Sequence, residues 1–185
     1  METSKYMTQI ISAFPCLGKT TIYQLNKGRT FDREFNESRS VLGMSEQNKE
    51  HFYELCGEIL RLQIQSNHYD YIFITDYEKI ANLVANAMND NGHGFGFTYI
   101  FPDVFNKDVM QDYYARVIKR SGVDWYERVI VPKLVNLSER IIELKQKGYD
   151  VRLTDLEHPY IEDVFCFNSQ ILLPNEKNGT ERIEK

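Results

Sequence analysis

The stretch Gln9-Ile10-Ile11-Ser12-Ala13-Phe14-Pro15-Cys16-Leu17-Gly18-Lys19-Thr20-Thr21 constrains this chain more than any other. Apolar residues over 6–13 predict a buried strand and Gly18 a turn. From Thr20, with Ile22 and Leu25 a helical step apart, the pattern predicts a helix to Asn26 with Gly28 as its stop.

A strand, a turn and a helix in that order are the context that a phosphate-binding loop of pattern G-x-x-x-x-G-K-[ST] requires. In such a loop backbone N–H groups surround the phosphates, the Lys reaches the β- and γ-phosphates, and the hydroxyl coordinates Mg²⁺. Lys19 and Thr20 fit those two roles. Gly18-Lys19-Thr20 is intact, whereas Ala13 stands where the pattern has its first Gly. The alternative is an ordinary turn at Gly18, with Lys19 solvated in the first turn of the helix.

Beyond this start, strand and helix signals alternate. Residues 29–34 predict a second strand and 35–43 a polar loop. Ser45 caps a helix to about Asn67, with Phe52, Leu55, Cys56, Ile59 and Leu62 inward. Residues 69–76 form a nearly continuous β-branched and aromatic run, as in a strand buried on both faces. Asp76 can cap the next helix, with Ile80, Leu83, Val84, Ala87 and Met88 inward, which ends at Asn91-Gly92; residues 95–101 follow as a strand. A helix over 108–120 places Val109, Met110, Tyr113 and Val117 inward and stops at Ser121-Gly122. Asp124-Trp125-Tyr126-Glu127 resembles a capping box for a helix through Ile130, Leu134, Leu137, Ile141 and Leu144 to Gly148, which Pro132 kinks or restarts. Residues 149–153 make a fifth strand, and 160–173 hold an apolar region without a clear assignment.

Such alternation specifies an α/β fold, a three-layer α/β/α arrangement around a central parallel five-stranded sheet, with ligands beyond the carboxyl ends of the strands. The expected organisation is one domain over residues 1–173 and a loose polar tail over 174–185. A chain of 185 residues can bury roughly 70% of the surface its unfolded form exposes and needs no covalent staple.

Several function classes drop out. Cys16, Cys56 and Cys166 are odd in number and lack C-x-x-C spacing, so neither a disulfide framework nor a zinc knuckle is indicated, and a reducing cytoplasm is the natural setting. No long apolar segment follows the first residues, which argues against a signal peptide or a membrane span. A formal charge of −5 and a pI near 5.4 disfavour a general nucleic-acid binder. His51, His68, His93 and His158 are too scattered for a metal spacing.

Three further groups can carry chemistry. Asp76, closing a hydrophobic strand, suits a carboxylate that holds Mg²⁺ directly or through water, with a helix N-cap as its plain role. Arg116 and Arg120 lie one helical step of four apart, so with Lys119 they make a cationic face able to clamp phosphates, or a solvated helix surface. Asp32, Glu34 and Arg39 follow the second strand, where acids can hold a sugar hydroxyl or an acceptor and Arg39 an acceptor phosphate; turn formation is the alternative for the acids.

With loop, acid and basic helix in this order, the chain resembles P-loop kinases of the nucleoside monophosphate kinase class, particularly the small phage-type members. Ala13-Phe14-Pro15-Cys16-Leu17-Gly18-Lys19-Thr20-Thr21 is similar to the family's G-x-P-G-x-G-K-[ST]-T, with Ala13 and Cys16 as departures. The resemblance covers about residues 6–165 and implies a P-loop NTPase-like fold, phosphate contacts from Lys19, Mg²⁺ at Thr20 and backbone donors from Cys16 through Thr21. Arg116 and Arg120 look like the family's lid arginines. The implied activity is ATP-dependent phosphoryl transfer to a nucleotide or nucleoside-like acceptor, with ATP and Mg²⁺ as cofactors. The alternative is a nucleotide-binding sensor that uses the altered loop without catalysis. Cys16, beside a helix N-terminus that favours a thiolate, is also expected to make binding sensitive to oxidation.

Overall fold

The strand that opens the pattern, β1 (Gln9–Ala13), has every side chain after Gln9 buried, as the apolar run dictates for a strand covered on both faces. The computed structural model describes residues 8–32, 45–75, 84 and 96–174. After β1 come α1 (Lys19–Leu25), β2 (Thr30–Asp32), α2 (Glu46–Ser66), β3 (Tyr71–Thr75), β4 (Phe97–Pro102) and α3 (Lys107–Ser121). A broken helical stretch follows, made of α4 (Val123–Trp125), a π-helical segment (Tyr126–Ile130), α5 (Val131–Leu134) and α6 (Leu137–Gln146); β5 (Asp150–Thr154) and α7 (Ile161–Val164) end the described chain.

The strands form one all-parallel sheet in the order β2-β3-β1-β4-β5, the three-layer α/β class that the sequence predicts. Because the chain passes from β3 across β1 to β4, the strand order reverses at β1, and its carboxyl end is where sheets of this kind take ligands. Contacts divide the chain into two compact units, residues 1–12 with 27–97 and residues 13–26 with 98–185.

In the first unit β2 pairs with β3 from Thr30 opposite Tyr71 to Asp32 opposite Phe73. The Ser45 hydroxyl accepts from the Asn48 N–H, the predicted N-cap of α2. The inward face of α2 differs from the expected one: Tyr53, Cys56, Leu60 and Ile64 are buried, while Leu55 and Leu62 are half exposed. Both sets have helical spacing, and packing selects the one about a residue further round. Asn67 ends α2 in the left-handed region, a conformation Asn tolerates, and its Oδ1 accepts from both the N–H and the hydroxyl of Thr8.

In the second unit β4 and β5 run in register from Thr98 opposite Asp150 to Pro102 opposite Thr154. Tyr99, Phe101, Val109, Tyr113, Val117, Ile130, Leu137 and Ile141 are buried there, each side chain worth about 1.5–3 kcal/mol for the larger aliphatic and aromatic ones. Two boundaries depart from expectation. α1 ends at Leu25, one residue before the expected Asn26, whose side chain donates to the Ile22 carbonyl and exchanges hydrogen bonds with the Leu172 backbone. No capping box starts a helix at Asp124. The helical stretch instead widens to a π turn over Tyr126–Ile130 and breaks at Val135-Asn136, with Asn136 left-handed at φ 61°. Pro132 explains the disturbance, since it has no N–H for the Arg128 carbonyl and its ring crowds that carbonyl.

The expected strand edges at 6–7 and 33–34, the polar loop, most of the helix after Asp76, the Asn91-Gly92 turn and the tail beyond Pro174 lie outside the described residues. Val84, inside that helix, is helical and buried. Among the described residues no helix is long and apolar enough to cross a membrane.

Candidate functional site

The site is the loop between β1 and α1, which with α3 and α7 belongs to the second unit. Ala13, Phe14 and Leu17 are fully buried, and the carbonyls of Ala13 and Phe14 turn toward the Lys19 side chain. Two residues hold the left-handed region, Cys16 at φ 61° and Gly18 at φ 99°. For Gly18 this costs nothing; for Cys16 it stores strain of about 1 kcal/mol or more that the surroundings must hold. Gly18 starts α1, which has no side-chain cap and no acid in its first turn.

Lys19 does not lie in solvent. Its side chain is 6% exposed, and Nζ donates to the Ala13 carbonyl at 2.6 Å and to the Phe14 carbonyl at 3.1 Å. An ammonium buried so deeply demands hydrogen-bond acceptors, and the loop turns its own carbonyls inward to supply them. The alternative of a solvated Lys19 is thereby corrected. Thr20 and Thr21 follow in the first turn of α1, both half-buried. The Thr21 N–H donates to the Gly18 carbonyl.

The basic face of α3 also meets the loop. Arg120 brings Nη1 to 3.5 Å from Cys16 Sγ. Arg116, one step earlier, donates from Nε to Asp112 Oδ2 at 2.8 Å, and its guanidinium carbon lies 5.7 Å from the Tyr113 ring and 5.0 Å from the Tyr160 ring. Its Nη1 and Nη2 are buried without a hydrogen-bond partner among the described residues. Arg120 thus reaches the loop at Cys16, and Arg116, one helical step of four earlier, reaches Tyr160 ahead of α7.

Three contacts that the sequence did not reveal complete the site. The fully buried Tyr113 donates its hydroxyl to the Pro15 carbonyl at 3.1 Å, which ties α3 to the loop. The Ile161 N–H donates to the Leu17 carbonyl at 3.0 Å, which ties α7 to it. Above Gly18, a Cβ would stand 3.2 Å from Glu162 Oε2 and 3.6 Å from the Tyr160 ring, so this position needs glycine for its conformation and is tight for any larger residue.

The electrostatics correct the expectation for Cys16. Burial pushes its thiol pKa up from 9.0, and the nearby Arg120, Lys19 and Arg116 charges only partly oppose that rise. The thiol, rather than a thiolate, is the resting form at neutral pH. Burial also lifts the Tyr113 phenol well above its usual 10.0, which keeps it a hydrogen-bond donor.

Asp32 ends β2 in the first unit with both carboxylate oxygens buried. Glu34, Arg39 and Asp76 lie outside the described residues. Among the described residues no group of three or more His, Cys, Asp and Glu side chains gathers as a metal cluster.

No protein-family model matches this chain, and no curated protein matches it significantly. A solved structure titled "Crystal structure of APE1195" is similar to it at 19% sequence identity and a TM-score of 0.42, over 86% of this chain and 90% of that one. The functional reading therefore comes from the loop itself.

Proposed function

We propose that this protein is an ATP-dependent phosphotransferase that acts on a nucleotide or nucleoside-like acceptor and takes the donor's phosphates in the 13–20 loop. The observation that carries this reading is the buried Lys19 ammonium inside a loop that two α3 arginines approach. Phosphoryl transfer passes through a transition state with charge spread over several oxygens, so its catalyst needs positioned cations more than covalent chemistry. Lys19, Arg116 and Arg120 supply three. Lys19 would exchange its carbonyl partners for phosphate oxygens, and the two positive-φ residues let the backbone between them curve around the polyanion.

The residues present fit a triphosphate: a buried ammonium beside the loop, a guanidinium whose terminal nitrogens meet no partner among the described residues, and a backbone that turns at a positive-φ glycine. Thr20 offers one hydroxyl to Mg²⁺, which typically draws its other ligands from phosphates and water and would neutralise the donor's oxygens. The test is a coupled ATP-consumption assay across nucleoside monophosphates and nucleosides. Turnover with at least one acceptor, lost in Lys19→Ala, is expected; full turnover in Lys19→Ala would contradict the reading.

The Glu162 carboxylate against Gly18 favours a second reading, a nucleotide sensor without turnover, because a negative group at the loop opposes phosphate and suits weak, regulated occupancy. That reading predicts ATP or GTP binding by calorimetry with no acceptor consumed.

A further inference from the structure

We propose that Tyr160 is a positioning residue for Arg116, holding its guanidinium so that the two terminal nitrogens meet the oxygens of a phosphate bound at the loop. The inference rests on the phosphate-binding reading above.

Arg116 has little freedom. Nε is tied to Asp112 at 2.8 Å, and Tyr113 and Tyr160 approach its carbon at 5.7 and 5.0 Å. Such cation–π contacts orient a guanidinium as well as stabilise it. What this leaves is Nη1 and Nη2, buried and without a hydrogen-bond partner among the described residues. Buried N–H donors are nearly always satisfied, and a planar fork with two free nitrogens matches a pair of phosphate oxygens.

Tyr113 reaches the loop through its hydroxyl at Pro15, and Tyr160 reaches it at Gly18 from a different element. The Tyr160 ring passes 3.6 Å from where a Gly18 Cβ would stand. Its backbone N–H donates to Asp163 Oδ2 at 3.0 Å, and the N–H of the next residue, Ile161, donates to the Leu17 carbonyl at 3.0 Å. The ring is therefore fixed relative to the loop, and the guanidinium is fixed relative to the ring. Tyr113, by contrast, belongs to the same helix as Arg116 and sets no distance between that helix and α7.

A double-mutant cycle tests this. Calorimetry would measure the affinity for inorganic tripolyphosphate, and separately for a nucleoside monophosphate, in wild type, Tyr160→Leu, Tyr160→Phe, Arg116→Ala and the Tyr160→Leu/Arg116→Ala pair. Tyr160→Leu should weaken at least one of these ligands about tenfold, and Tyr160→Phe, which keeps the π face, should restore affinity to within about twofold. In the Arg116→Ala background, Tyr160→Leu should have no further effect, because a residue that acts through another shows complete coupling. A loss confined to tripolyphosphate assigns the fork to the donor, and one confined to the monophosphate assigns it to the acceptor; either supports the proposal. Additive losses, or wild-type affinity in Tyr160→Leu beside a weakened Arg116→Ala, would overturn it. If Tyr160→Leu does not fold, Tyr160→Met serves with the same outcomes. Wild type that takes up neither ligand overturns the phosphate reading itself, and this inference with it.

Discussion

Arg29 in the first unit and Arg116 in the second both sit beside an aspartate, and they are used differently. Arg29, with 42% of its side chain exposed, puts Nη1 on Asp70 Oδ2 at 2.6 Å. The Arg116 side chain is 19% exposed and gives Asp112 its Nε, while its terminal nitrogens are buried without a partner among the described residues. A fork engaged by a neighbouring carboxylate holds elements together. A fork held at Nε and between two rings, with tips that meet no partner among the described residues, keeps its terminal donors for another group. The same contrast extends to Lys19, which is kept inside its loop by backbone carbonyls that a phosphate can replace.

The largest expected difference between the two regions is in ligand binding. Lys19→Ala should weaken Mg²⁺–ATP binding about a hundredfold, whereas Arg29→Ala should leave it unchanged and cost under about 1 kcal/mol of stability, the usual worth of an exposed pair. Titration calorimetry and thermal unfolding read both, and equal losses of affinity would erase the contrast. Next in size is Glu162→Gln, which removes a carboxylate at Gly18 and should tighten ATP about fivefold, an effect of about 1 kcal/mol, the size expected between unit charges about 4 Å apart in a water-like dielectric. Unchanged or weaker binding would show that the carboxylate does not oppose the phosphates.

Tyr113→Phe sharpens the structural half of the account. Losing the hydrogen bond to the Pro15 carbonyl should cost about 1 kcal/mol of stability and loosen the loop by a few-fold in nucleotide affinity, read by denaturant unfolding and calorimetry. The smallest effect is expected at an exposed pair far from this contrast. Asp155 hydrogen-bonds His158, which raises the His158 pKa above 6.5, while the His158 backbone and side chain lower the Asp155 pKa below 3.8. His158 adds stability below pH 6.5 that is lost as pH rises through its folded value. Asp155 adds stability above pH 3.8 that is lost as pH falls through its own. The pair's contribution should thus be greatest between those limits; in His158→Ala the imidazole's part should vanish from the pH profile of melting, while the part of Asp155 that rests on the backbone N–H of residue 158 should remain.

Much of this was legible in the sequence because the signals are local. A strand, a glycine turn and Gly18-Lys19-Thr20 are contiguous, and Arg116 and Arg120 are related by helical periodicity alone, so no knowledge of packing was needed to put them together. The alternating pattern likewise gave the parallel five-stranded sheet. What escaped depends on residues distant in the chain. Tyr113 reaches Pro15 across 98 positions, and Tyr160 and Glu162 arrive at Gly18 from an apolar region with no clear periodicity. The protonation of Cys16 was misjudged for the same reason: the helix N-terminus that favours a thiolate is visible in sequence, whereas the burial that outweighs it is not. The inward face of α2 also turned on packing, since Leu55 and Leu62 have the same spacing as the residues that are buried.

The most direct test is a crystal structure with a non-hydrolysable triphosphate analogue and Mg²⁺. The account predicts phosphates inside the 13–18 loop, with Lys19 Nζ moved from the Ala13 and Phe14 carbonyls onto phosphate oxygens and Arg116 Nη1 and Nη2 engaged. An analogue bound elsewhere, with Lys19 still on those two carbonyls, would contradict it.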